Sequence, residues 1–431
     1  MHLRQSLRTV TTSGRVLLLC VVILAQNILS RDLFSPLVVL SGISVLLITQ
    51  VSFKRSYLRL VWPLLGVIMF GALGAAGHEA RDILRDIAFA IVPLVLIYIG
   101  YWLAGDARMW PLILKVMVSC GTILAIFHLS AFAINPELLV ADLEDVRREA
   151  GGSGALVTFA LVLVLFKNRF GLVRLIPKYL PRFVTIGVLL ASFVLSYSRT
   201  EIAVAIVLAL SLLGTLSRLN LRFVLAVVVL VVGFLLITVS VPTNETGTLR
   251  SKLANTVAEI AVSNYRDMSD INANWRGFET YRAMQSFSTG SVVQQILGQG
   301  FGALVDLGFV MEFGKVVGVQ LRYIPILHNG YAYILIKTGL LGLVCYVIFY
   351  LYVIRCAVRH SYQKNSEQEF LSRLLLGCIW SLIAVMYVVG GMAETAEPAL
   401  VLLVGYLVRR LELLRVAQLM GSGNKKYLVA S

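Results

Sequence analysis

Charged side chains are scarce in this chain. Asp, Glu, Lys and Arg make up 14% of its 431 residues, against about 25% in an ordinary soluble domain. A surface that poor in charge cannot be kept in water by a protein of this size. Histidine is scarcer still, with five in all, and neither an H-E-x-x-H nor a D-x-D pattern occurs. The common sequence signatures of a resident metal are therefore missing, and no cofactor is expected. The five cysteines, Cys20, Cys120, Cys345, Cys356 and Cys378, form no C-x-x-C pair. All fall in apolar runs or at their ends, which excludes a disulfide framework. The first apolar run, about 16–30, follows Arg4, Arg8 and Arg15 and leads straight into others, so it reads as an uncleaved first helix. No internal repeat and no low-complexity tract is present.

What the chain has instead is apolar length. It is 58% hydrophobic, with a mean hydropathy of +0.84. Apolar runs of ~20 residues without period-two alternation predict membrane-spanning helices rather than a barrel. Twelve such segments are expected: 14–30, 34–52, 58–77, 83–104, 110–134, 152–167, 183–198, 200–216, 220–241, 329–355, 373–392 and 396–416. The stretch 183–216, taken as one helix, would be about 50 Å long, too long for a single crossing of a ~30 Å core. Two spans joined through "YSRTE" fit better.

The net charge of +15 raises nucleic acid as a partner, but its distribution says otherwise. With the N-terminus inside, the short inside segments carry 23 Lys and Arg, and the short outside loops carry six. That bias sets an orientation with both termini cytoplasmic, and it holds only if the chain is split at Arg199. The expected fold is thus an all-α polytopic membrane protein. Its parts are nine spans in 1–241, a hydrophilic outer loop at 242–328, then three spans and a cytoplasmic tail in 329–431. The loop is charge-neutral, so it is not a polybasic lipid anchor. "SKLANTVAEIAVS" (251–263) and "NWRGFETYRAMQSF" (274–287) carry apolar residues at helical spacing, and "LGQGFG" (297–302) reads as a glycine-rich turn.

Polar residues beside a membrane are costly and draw attention. On the outer side stand Arg199 in "SYSRTE", Arg276 and Arg282 in the loop, His328 in "LHNGY", Glu394 and Glu397 between the last two spans, and His78, Glu79, Arg81 and Arg85 in an earlier turn. Each has a local reading. Arg199 pairs with Glu201 or caps a helix; Arg276 pairs with Glu279 at i,i+3; His328 bonds backbone at an interface; Glu394 caps the last span. Together they admit another. Arginine forks hold phosphate oxygens at any relevant pH, and an imidazole can take a proton from a hydroxyl near neutrality.

The order and sidedness of these features resemble a known family. Twelve spans, a large loop after the ninth, "SYSR" at 196–199, an arginine some twenty residues before "LGQGFG", then "HNGY" at 328–331 and "IKTGLLG" at 336–342 are similar to the O-antigen ligase and O-antigen polymerase superfamily of bacterial inner-membrane glycosyltransferases. The resemblance implies a periplasm-facing site and a donor glycan on undecaprenyl pyrophosphate. A ligase passes that glycan to a lipid A-core sugar; a polymerase passes it to a second lipid-linked glycan. Both are metal-independent and inverting. It implies that Arg199 and Arg276 bind pyrophosphate, with Arg282 open as the alternative counterpart, and that His328 activates the acceptor hydroxyl. It implies that these groups share one outer pocket. Glu394 matches no family motif and enters by position alone. The segment holding Gly339 and Gly342 is expected to wall the prenyl chain or to let helices pack closely. A transporter or flippase is the reading from another class; it predicts inverted repeats and charges at mid-membrane depth.

Overall fold

The computed structural model of the chain describes residues 12–29, 31–49, 55–141, 146, 149–151, 154–166, 175–176, 181–216, 271, 274–312, 320–361, 366–394 and 397–421. The expected ninth span at 220–241 and the amphipathic segment at 251–263 lie outside the described residues.

The described residues are about 83% helical, in 13 α-helices. In chain order these are α1 Thr12–Ile28, α2 Arg31–Thr49, α3 Arg55–Leu73, α4 Ala80–Leu103, α5 Met109–Ile134, α6 Gly154–Phe166, α7 Arg182–Leu195 and α8 Arg199–Leu213. After them come α9 Trp275–Thr289, α10 Val292–Leu297, α11 Gly330–Ser361, α12 Ser366–Val389 and α13 Pro398–Gly421. Five of them, α3, α4, α5, α11 and α12, are long and apolar enough to cross a membrane. Large apolar side chains lie on the perimeter, among them Leu17, Leu40, Leu47, Trp62, Leu73, Phe127 and Leu351, each more than half exposed. In water such a belt would be an aggregation surface; in lipid it is the expected outer face. The class that this defines is a membrane-embedded helical protein.

Close packing sets the interior. Helix α13 lies along α4, and the contact is made by glycine. A Cβ at Gly100 would collide with the Leu402 carbonyl, and one at Gly405 with the Ile97 carbonyl, so the two backbones meet as small-residue faces do in membranes. Helix α11 packs on α3 and α12, α12 on α8, and α5 on α1, α6 and α7. Leu371, Leu374, Leu375, Leu382, Val385, Val401 and Leu402 are fully enclosed, which explains why α12 and α13 read as apolar on nearly every face.

The split within 183–216 is present. Helix α7 ends at Leu195, and α8 starts at Arg199 behind Ser198, whose hydroxyl accepts the Glu201 N–H. The turn between them bends through Tyr197 at φ 47°, the only non-glycine residue with positive φ among those described.

Two features of the segment 274–361 depart from expectation. Helices do not organise it alone. An antiparallel hairpin, β1 Val305–Glu312 and β2 Gln320–Ile324, stands beside α9. Its register shifts after Asp306, where Gly308 takes φ 83° and gives its N–H to the Asp306 carboxylate. Second, α11 is not a continuous wall. It breaks at Gly339 (φ 66°, ψ −169°), a conformation open essentially to glycine alone. The carbonyls of Ile336 and Lys337, freed by the break, accept the N–H groups of Gln299 (2.8 Å) and Gly300 (3.1 Å). Phe301 N–H reaches the Gly71 carbonyl at 2.8 Å and its ring is buried against α3. The glycine-rich turn is thus inserted into the bundle and completes the hydrogen bonding of a broken helix, the arrangement that irregular backbone requires where no water can reach it.

Candidate functional site

A cavity of about 480 Å³ opens between the start of α6, the α7–α8 turn, α9 and the end of α12. Its polar side is formed by Ser196, Ser198, Arg199, Thr200, Glu201, Arg276 and Glu397; its apolar side by Ala203, Val204, Ala384, Val385, Val388 and Val389. The two arginines come from elements far apart in sequence. Arg199 is the first residue of α8, where backbone N–H groups and the helix dipole already favour an anion. Arg276 is in the first turn of α9.

Glu201 is fixed rather than free. One carboxylate oxygen accepts the Gly154 N–H at 3.1 Å; the other accepts the hydroxyls of Thr158 (3.3 Å) and Ser196 (3.2 Å). It thereby ties the start of α6 to the turn that carries Arg199. Glu397 lies in the turn just before α13. Burial, with the Glu201 carboxylate nearby as a lesser cause, pushes its carboxyl up to about 8, so near neutrality it carries a proton.

His328 is joined to the elements around the cavity through its contacts with Gly390 and Glu279. It is not part of the cavity wall formed by the described residues, so the shared pocket expected from sequence holds the two arginines and not the imidazole. Its carbonyl accepts the Gly390 N–H at 2.6 Å, and Gly390 follows Val389 of the wall. Its Nδ1 lies 2.8 Å from Oε2 of Glu279, which also accepts the His328 backbone N–H at 3.2 Å. Glu279 is buried and sits one turn along α9 from Arg276. Sequence spacing suggested Glu279 as a partner for Arg276; in the structure its carboxylate is engaged by His328. The rest of "HNGY" is structural. Asn329 caps α11, its Oδ1 accepting the N–H groups of Tyr331 (3.1 Å) and Ala332 (3.3 Å), and a Cβ at Gly330 would crowd the Gly390 carbonyl.

Arg282 faces elsewhere. It donates to the Asp306 carbonyl at 2.9 Å and to Gln285 at 2.6 Å, bracing α9 against the hairpin. Glu394 closes a 3₁₀ turn, Gly391–Glu394; its side chain lies outside the described residues. His78 hydrogen-bonds the Gln299 carbonyl at 2.9 Å and so anchors the glycine-rich turn.

Asp86 was not singled out in the sequence, where it follows the charged residues Arg81, Asp82 and Arg85. It is fully buried and bonded to Lys337 Nζ (2.6 Å), the Tyr333 hydroxyl (2.9 Å) and the Gly302 N–H (2.7 Å).

Comparison of the chain with models of known protein families finds no match, and comparison with curated protein sequences finds none either.

Proposed function

We propose that this protein is an O-antigen ligase. It transfers a glycan from undecaprenyl pyrophosphate to a lipid A-core sugar on the periplasmic face of a bacterial inner membrane. The observation that carries this reading is the convergence of Arg199 and Arg276 on one cavity whose opposite wall is apolar. Two guanidinium forks beside a helix N-terminus suit a pyrophosphate, and the Val385–Val389 wall suits the lipid tail attached to it. The volume lies within the roughly 300–1,000 Å³ usual for ligand sites.

In the reaction the acceptor hydroxyl oxygen attacks the anomeric carbon in line with the bond to the pyrophosphate. The hydroxyl proton passes to Nε2 of His328. The carbon–oxygen bond to the carrier breaks, and its electron pair leaves on undecaprenyl pyrophosphate, whose charge the two arginines offset. Stabilisation of a developing oxyanion is commonly the largest single contribution to such catalysis, and a positioned base adds ~10²–10⁴-fold. The anomeric configuration inverts.

The transporter reading looks to charges inside spans, and the buried pair of that kind is Asp86 with Lys337. Both partners are bonded to the glycine-rich turn, Asp86 through the Gly302 N–H and Lys337 through the Ala303 carbonyl, which favours a structural role.

The test is reconstitution of the purified protein with an undecaprenyl-pyrophosphate glycan, chelator present, and either lipid A-core or a second lipid-linked glycan as acceptor. Transfer to lipid A-core is expected. Transfer only to the lipid-linked glycan would make the protein a polymerase of the same superfamily, and no transfer to either would remove the glycosyltransferase reading.

A further inference from the structure

The imidazole of His328 is more constrained than a loop-end histidine needs to be. Its side chain is 44% exposed, whereas the Glu279 carboxylate that grips it is 4% exposed. One oxygen of that carboxylate accepts both the backbone N–H and Nδ1 of residue 328. A carboxylate only accepts, so the ring carries a proton on Nδ1, and in the neutral imidazole the lone pair is then at Nε2. The backbone contact fixes where the ring is rooted, and the side-chain contact fixes how it is turned. Among the described residues no hydrogen bond engages Nε2.

The position of Glu279 adds a second relation. It is three residues beyond Arg276 on α9, a helix that also packs on α11 and β1. One rigid element therefore carries a cation of the cavity wall and the group that turns the imidazole.

We propose that Glu279 is the positioning residue of the transfer reaction. It holds His328 in the tautomer whose Nε2 accepts the acceptor's proton, and α9 links that orientation to the seat of the donor's pyrophosphate. The assignment rests on the ligase reading above, in which His328 is the base. Glu279 itself touches no reacting atom.

The experiment uses full-length protein in proteoliposomes, with initial rates measured against donor concentration. The variants are Glu279→Ala, Glu279→Gln, His328→Ala and the double variant Glu279→Ala/His328→Ala. Losing an orienting carboxylate typically costs on the order of 10–100-fold; Glu279→Ala is expected to lower kcat by that much while donor KM stays within about twofold. Glu279→Gln keeps an acceptor oxygen for Nδ1–H, and its kcat is expected to fall between wild type and Glu279→Ala. The double variant is expected to be no slower than His328→Ala alone, because a residue acting only through another has nothing left to orient. If Glu279→Ala does not fold, the isosteric Gln variant decides alone: wild-type kcat, or a change in donor KM only, overturns the proposal. So does a double variant markedly slower than His328→Ala. A fully active His328→Ala removes the base itself and with it this part of the reaction scheme. An impaired His328→Ala beside an unimpaired Glu279→Ala removes the positioning role alone.

Discussion

Lys337 and Asp86, 251 residues apart in the chain, meet at 2.6 Å with neither side chain more than 2% exposed. The pair joins α4 to α11 two residues before the break at Gly339. Its spare hydrogen-bonding capacity is used on the inserted turn, through the Gly302 N–H and the Ala303 carbonyl. It is therefore a three-way fastening between two helices and the loop that leads to the hairpin and His328.

Removing Lys337 leaves Asp86 buried with only the more distant Arg85 (3.5 Å) as a counter-charge; breaking a buried pair typically costs about 3–5 kcal/mol. Lys337→Met is expected to lower the thermal unfolding midpoint in detergent sharply. Lys337→Met/Asp86→Asn, which leaves no buried charge, should recover part of the loss. A Lys337→Met variant as stable as wild type would show that the pair is not a fastening.

The arginines divide by what they face. Arg199→Ala and Arg276→Ala are each expected to reduce kcat/KM for the lipid-linked donor by about 10²–10³-fold, the usual effect of removing one charge-stabilising donor. Lysine should rescue either poorly, because a point charge does not reproduce the fork. Arg282→Ala is expected to lower hairpin stability, read as faster proteolysis near 305–324, and to change donor kinetics little. A donor-specific defect in Arg282→Ala with a normal Arg276→Ala would exchange their roles.

These distinctions show where the sequence was informative. The helices were legible because a bilayer imposes apolar length. Each of α1–α8 and α11–α13 overlaps an expected segment, with ends differing by up to seven residues, and even the α7–α8 split followed from length and from the side on which Arg199 was expected to lie. Long-range partners were not legible. Asp86 closes the charged stretch Arg81–Asp86 where an apolar run begins, and nothing local announces that its partner is Lys337 rather than a neighbouring arginine. The break at Gly339 sits in "IKTGLLG", which reads as unbroken helix. The hairpin had a local signal in the alternation of Val305, Asp306 and Leu307, with glycines nearby, but the strands are short and lie amid loop composition. Arg276 and Arg282 were indistinguishable by spacing, since both lie on one helix. Only the placement of the hairpin separates them.

On the proposed function, Glu397 is expected to make donor affinity depend on pH. Its carboxyl, raised by burial and by Glu201, is protonated below about 8 and ionised above it. The charged groups that share the cavity with it are Glu201, Arg199 and Arg276. As pH rises through about 8, a new negative charge opposes the pyrophosphate. Like charges sharing one partly enclosed cavity repel, so donor KM should rise between pH 7 and pH 9. Glu397→Gln should flatten that limb while leaving donor KM at pH 7 nearly unchanged. An unaltered pH profile in the variant would detach Glu397 from donor binding.

The broken helix offers a test of how loop and site are coupled. At Gly339 any side chain meets two obstacles. The backbone conformation is open essentially to glycine, and a Cβ would collide with the Ile296 carbonyl and the Gly298 nitrogen. At Gly298, with φ 88°, a Cβ would collide with the Lys337 carbonyl. Strain of this kind is worth roughly 1–3 kcal/mol per residue, and relief requires the inserted turn to move away from α11. Residue 328 leaves the hairpin at the same end at which that turn enters it, since Val305 pairs with Ile324, whereas Arg199 belongs to α8 and does not depend on the turn. Gly339→Ala and Gly298→Ala are therefore expected to lower kcat, with smaller changes in donor KM, and to make a cysteine placed at Phe301 more reactive towards a membrane-permeant thiol reagent in a background lacking the native cysteines. Normal turnover together with an unreactive cysteine at that position would mean the turn is held by α3 alone, and that the glycines serve only helix packing.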